Sequence, residues 1–197
     1  MSTFIDQLVL DLRDGADPQP VLAALRRSGV NAHLWLETLP GGSLRLMLYS
    51  DSGELYELPE FIIEATGHLI SRILVENNGD EYGAELVVLA EHEGRFVRTL
   101  HLKVDGEDRP ERGDYDQFPV DEGLNDDWYE EYDLVYGPEA GKRTAAAYGV
   151  AAEKLESDYR IFDANLCTNP AFGYLWRALD IWMSNREPDL TLGNPAH

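Results

Sequence analysis

Apolar residues at the start of the chain fall three or four apart. Phe4, Ile5, Leu8, Val9 and Leu12 follow Ser2 or Thr3 as a cap, and Gly15 stops the run, so the spacing predicts a first short helix. A second is predicted where Asp17 caps, Pro18 takes the first helical position, and Val21, Leu22 and Leu25 form one face. Arg26 and Arg27 suit the negative end of its dipole, and Gly29 closes it. The period then changes to two. AHLWLET (32–38), SLRLMLY (43–49) and ELYEL (54–58), separated by LPGG and SDSG, read as a three-stranded antiparallel meander.

From 59 to 77 the residues Ile62, Ile63, Leu69, Ile70, Ile73 and Leu74 lie closer to helical spacing, with Pro59 and Glu60 as a start and Asn77-Asn78-Gly79 as a stop. Gly67 and the β-branched residues leave a strand over 68–76 open. AELVVLA (84–90), EHEG and RFVRTLHLKV (95–104) predict a hairpin. Little periodicity marks 105–136. Beyond Gly137, Ala147, Ala151 and Leu155 share a helical face. A last helix is signalled by Asn169, Pro170 and the stripe Phe172, Leu175, Trp176, Leu179, Trp182 and Met183, ending at Pro188.

The expected fold class is therefore α+β: N-terminal helices, an antiparallel sheet of about five strands (meander plus hairpin), and C-terminal helices. One domain is expected over 1–188, with a helix and sheet core at 1–104, an acidic aromatic loop at 105–136 and a helical part at 137–188. A mobile tail is expected at 189–197.

Charge changes the picture. Sixteen Lys and Arg stand against 37 Asp and Glu, a formal net charge of -21. A field of that sign repels nucleic acid and anionic membranes and speeds encounter with basic partners. It is also what a solubility-enhancing surface looks like. No uncharged apolar run reaches the ~18–20 residues of a spanning helix. The N-terminus lacks a basic region and carries Asp6, Asp11 and Asp14, unlike a signal peptide. A soluble, cytoplasmic protein is expected.

Motifs for chemistry are tested and fail. GPEAGKRT (137–144) is one residue short of a phosphate-binding loop, and Arg143 stands where Ser or Thr would bind the metal. Asp114 and Asp116 begin a calcium-loop spacing, but Phe118 takes the third ligand position and Pro119 the required glycine. The histidines His33, His68, His92, His101 and His197 show no metal-ligand spacing, and a lone Cys167 excludes both a disulfide within the chain and a cysteine-based zinc site. No nucleophile elbow occurs; Cys167 precedes a helix cap, which can lower a thiol pKa, but the reading preferred for it is a small, partly buried loop residue. No catalytic residue, metal site or cofactor is predicted.

What remains is the acidic stretch. Residues 105–133 hold 13 acidic side chains against Arg109 and Arg112. Aromatics, favoured at interface hot spots, interleave with charges that set encounter rate and partner choice. The candidate partner-binding residues are Asp114, Asp116, Asp121, Glu122, Asp126, Asp127, Trp128, Tyr129, Glu130, Glu131, Tyr132 and Asp133. The same aromatics could equally fasten the loop to the core.

The first half also carries a resemblance. A short helix, a strand, GGSLRLMLY, SDSGELYELPE, an apolar helix and a hairpin with an EGRF turn together resemble the YezG-like immunity proteins of bacterial polymorphic toxin systems. The likeness covers about residues 4–104 and rests on element order with Gly41-Gly42, Ser52-Gly53-Glu54 and Gly94-Arg95-Phe96 at the turns. It implies a small acidic antitoxin that neutralises a cognate toxin domain, often a nuclease. Tyr82 stands where that group tends to carry Trp, and residues from 137 onward have no counterpart in it. No contact residues carry over.

The leading expectation is thus a non-enzymatic protein that binds and masks a basic protein partner, such as a toxin domain, with no nucleic acid or membrane partner. Two alternatives stay open: a carboxylate-rich enzyme or divalent-cation-binding domain, and a DNA mimic.

Overall fold

The computed structural model describes residues 4–50, 55–79, 83–104, 118–119 and 187–193. Among them are seven strands and two α-helices: β1 (Phe4–Leu12), α1 (Gln19–Ser28), β2 (Ala32–Thr38), β3 (Leu44–Ser50), α2 (Leu58–Thr66), β4 (Ile70–Gly79), β5 (Gly83–His92), β6 (Arg95–Val104) and β7 (Leu190–Leu192). One antiparallel sheet holds every strand, in the order β6-β5-β4-β1-β3-β2-β7. The architecture is sheet-dominated. This corrects the expected α+β class with helices grouped at the ends, and raises the strand count from about five to seven among the described residues.

The largest difference is at the start, where β1 replaces the first predicted helix. Leu8, Leu10 and Leu12 point to one face and are buried; Gln7, Val9 and Asp11 point to the other and are buried as well. A strand covered on both faces reads as a continuous apolar run rather than an alternation, and Leu8 to Leu12 then mimics helical spacing. β1 sits at the centre, paired to β3 on one side and β4 on the other.

The described residues of ELYEL, Leu55 to Leu58, do not form the predicted strand. Residues 55–57 form a turn and Leu58 opens α2, with Pro59 in the first helical turn. Leu55, Leu58 and Ile62 enter the core, a spacing of three and four that belongs to a helix. The helix expected over 59–77 covers only half that span. It ends at Thr66, passes through a 3-10 turn at Gly67–Leu69 and becomes β4, the alternative left open. Gly67 suits the junction: a Cβ there would meet Phe96 at 3.3 Å and Ile63 at 3.4 Å.

Other expectations hold. α1 ends at Gly29 in the left-handed region (φ 78°), with Arg26 and Arg27 in its last turn, and the Asp17 carboxylate accepts the Gln19 N–H at 3.0 Å. β2 and β3 form the predicted hairpin, as do β5 and β6. Leu190–Leu192, placed by the sequence reading in a terminal tail, form β7 along the outer edge of β2. The helices predicted beyond residue 137 lie outside the described residues.

In the inner block β1-α1-β2-β3-α2-β4, each helix joins two strands that run parallel with a third inserted between them. This is the split β-α-β arrangement of ferredoxin-like folds, here with sheet order β4-β1-β3-β2. β5 and β6 extend one side and β7 the other. α1 and α2 pack on one face, where their apolar side chains join Leu8, Leu10, Leu34, Leu46, Leu48, Ile73, Val75 and Leu89 in a single cluster.

Candidate functional site

The opposite face carries the buried chemistry. Register places Glu37, Arg45, Asp11 and Arg72 side by side across β2, β3, β1 and β4. In the next row on this face come Trp35, Met47, Val9 and Leu74, all nearly fully buried. The third row is polar, with His33, Tyr49 and Gln7. His33 meets Trp35 edge-on, the ring centroids 6.1 Å apart.

Asp11 is the hub. Its Oδ1 accepts the Arg45 Nε–H at 2.6 Å, and its Oδ2 accepts Arg45 Nη2 at 3.0 Å, Arg72 Nε at 2.9 Å and Arg72 Nη2 at 2.8 Å. Arg45 is 1% exposed and the Asp11 side chain 7%, while Arg72 is 27% exposed. β4 bulges here: Asp11 pairs with Arg72 and Leu12 with Ile70, and the extra residue of β4, Ser71, donates its hydroxyl to the Asp11 carbonyl at 3.1 Å.

This geometry limits the chemistry. The carboxylate oxygens of Asp11 are committed to two guanidinium groups, which leaves them no free direction toward a substrate. The cluster therefore works as a register lock: sliding either neighbour of β1 by one residue would turn an arginine to the other face. Asp11 and Arg45 gave only a faint signal in sequence, as charged residues inside otherwise apolar strands, VLDL and LRLML.

A second ion pair lies at the same end of the sheet. Arg13 Nη2 stands 3.1 Å from Glu91 Oε2, and Glu91 Oε1 accepts the Gly94 N–H at 2.6 Å. That backbone hydrogen bond, followed by Arg13, holds the Glu91 carboxyl below its ordinary value. Glu93 and Gly94 both have positive φ, as the two-residue hairpin turn requires.

The predicted partner-binding residues Asp114, Asp116, Asp121, Glu122, Asp126, Asp127, Trp128, Tyr129, Glu130, Glu131, Tyr132 and Asp133 all lie outside the described residues. Within that stretch only Phe118 and Pro119 are described. Phe118 is half-buried against the helix-side core, and the Pro119 carbonyl accepts the Arg98 N–H of β6 at 2.8 Å. The acidic stretch is thus fastened to the scaffold at the two residues that exclude a calcium loop. Among the described residues no three His, Cys, Asp or Glu side chains converge, and no helix is long and apolar enough to cross a membrane.

The fold and this site define a ferredoxin-like sheet with a buried Arg-Asp-Arg lock on the face away from its helices. No protein-family model matches the chain, and no curated protein does. Among solved structures it is similar to "LarC2, the C-terminal domain of a cyclometallase involved in the synthesis of the NPN cofactor of lactate racemase, apo form". That similarity has a TM-score of 0.33 at 6% identity, over 53% of this chain and 81% of that one. Overlap of that extent carries no argument about function.

Proposed function

We propose that the chain is a non-enzymatic, cytoplasmic protein that binds and neutralises a basic protein partner, as an immunity protein neutralises a toxin domain. The carrying observation is where the charge lies. Residues 105–133 hold 13 acidic side chains and two arginines, more than half of the net -21, together with Trp128, Tyr129 and Tyr132. The anchoring of Phe118 and Pro119 on β6 supports the reading, because a fastened loop presents its charges with less ordering cost than a free tether. So does the scaffold's handling of its own charges, since its buried acid Asp11 is matched by arginines.

Binding steered by such a field weakens as salt rises. Affinity purification of the full chain from its host at low ionic strength, followed by a salt gradient, is expected to release a basic protein. The recovered partner should then bind the purified chain one to one. Recovery of acidic or neutral proteins alone, or binding indifferent to salt, would sink the proposal.

A further inference from the structure

The face of the sheet away from α1 and α2 is covered, and we infer that residues 169–187 of the same chain provide the cover over β2 and β3. An apolar row crosses five strands on that face: Trp35, Met47, Val9, Leu74 and Val88, each 4% exposed or less. The two described helices do not shield it, because their apolar side chains join the cluster on the opposite face. The row is this dry within a single chain, so the shield belongs to the chain itself rather than to a second copy or a foreign partner.

Topology narrows the choice. β6 and β7 form opposite edges of the sheet, so the chain between Val104 and Leu190 has to pass from one edge to the other. With strands about 4.8 Å apart, that passage is roughly 29 Å. Its first part, 105–133, carries 13 acidic side chains, which would lose their hydration if laid on an apolar row. Its last part holds the broad apolar stripe Phe172, Leu175, Trp176, Leu179, Trp182 and Met183. The other apolar face, Ala147, Ala151 and Leu155, is smaller and stands farther from β7 in sequence. The stripe also ends close to its seat. The Asp189 carboxylate accepts the Leu36 N–H of β2 at 2.7 Å, and Leu190 pairs with Leu34, so the chain enters β7 beside Trp35. Met183 precedes Asp189 by six residues, a reach of at most ~20 Å. A helix of the kind the stripe predicts is about 10 Å wide and covers two neighbouring strands, which seats it over Trp35 of β2 and Met47 of β3. Trp176 and Trp182 are then interior residues rather than partner anchors, and a binding partner meets the acidic stretch and not this stripe. The basic-partner reading stands or falls separately.

The test places a benzophenone photo-cross-linking amino acid at position 182 of the full chain in place of Trp182, and in a control at position 177 in place of Arg177, off the stripe. An equal mixture of ordinary and isotope-labelled chains separates links within a chain from links between copies. Peptide mapping should find the link from position 182 within one chain, on residues 32–50, several-fold above the control. As a second readout, Trp128→Phe, Trp176→Phe and Trp182→Phe leave Trp35 as the sole tryptophan. Adding Leu175→Asp and Leu179→Asp should then raise acrylamide quenching of Trp35 several-fold while the circular dichroism of the sheet persists. Links between copies, links confined to α1 and α2, or Trp35 protection unchanged by the two aspartates each overturn the inference. If the aspartates unfold the chain, the cross-link decides alone, and its absence from residues 32–50 overturns the inference as well.

Discussion

The two faces of the sheet are both buried, yet they are built differently. On the helix side, leucine, isoleucine and valine from the strands meet the apolar faces of α1 and α2, and shape alone decides the fit. On the other side an apolar row of Trp35, Met47, Val9 and Leu74 is bordered by Asp11, Arg45 and Arg72. An apolar face rewards any arrangement that removes it from water, so it tolerates slippage and substitution of similar volume. A buried ion cluster tolerates neither, because each charge is costly unless its own partner is in place. One face supplies most of the driving force for folding, and the other selects the register in which the strands meet.

The largest expected effect comes from breaking the charged face. Asp11→Ala leaves Arg45 buried without its carboxylate and should cost about 3–5 kcal/mol in urea unfolding. Replacing Asp11, Arg45 and Arg72 together by apolar residues of similar volume should recover most of that loss. A single substitution costing under about 1 kcal/mol would mean that the cluster is solvated and that the faces do not differ.

Next comes the helix side. Leu48→Ala or Leu25→Ala should cost about 2–4 kcal/mol by removing contacts and leaving a cavity. Here no second substitution restores stability except one that refills the space. Gly29→Ala, which forces a side chain into the left-handed C-terminal position of α1, should cost about 1 kcal/mol and lower the melting temperature by a few degrees.

The smallest effect sharpens the comparison at an exposed pair. The folded-state pKa of Glu91 is lowered, so its contribution is present above the ordinary carboxylate value and is lost as pH falls through the folded value. Stability of the unaltered chain should therefore decline below about pH 4.5, and Glu91→Gln should remove that part of the slope while changing little at pH 7. Equal slopes in denaturant titrations of the two chains would show that the Gly94 and Arg13 contacts do not persist in solution.

Some of this was legible before any coordinates. α1 was marked at both ends by local chemistry, Asp17 and Gly29, which depends on no distant residue. The β2-β3 and β5-β6 hairpins were marked by alternation and glycine turns for the same reason. β1 was misread because its neighbours are distant in sequence: β3 and β4 cover its edges, and the side chains on both of its faces are buried. ELYEL was misread because five residues with leucines three apart satisfy either period, and only Pro59 favoured the helix. The Asp11 cluster was missed because its members come from three strands, and nothing local links position 11 to 45 or 72.

The sequence by itself determined the charge, its concentration in residues 105–133, the ends of α1 and the hairpin turns, all set by residues within a few positions of one another. Only the tertiary structure decided that β1 is a central strand, that β7 closes the outer edge of β2, and that one aspartate holds two arginines. Those outcomes depend on pairing between segments from 34 to about 160 residues apart. Free energy favours such pairing only when the whole sheet assembles, because each long-range closure costs entropy that local contacts alone do not offset.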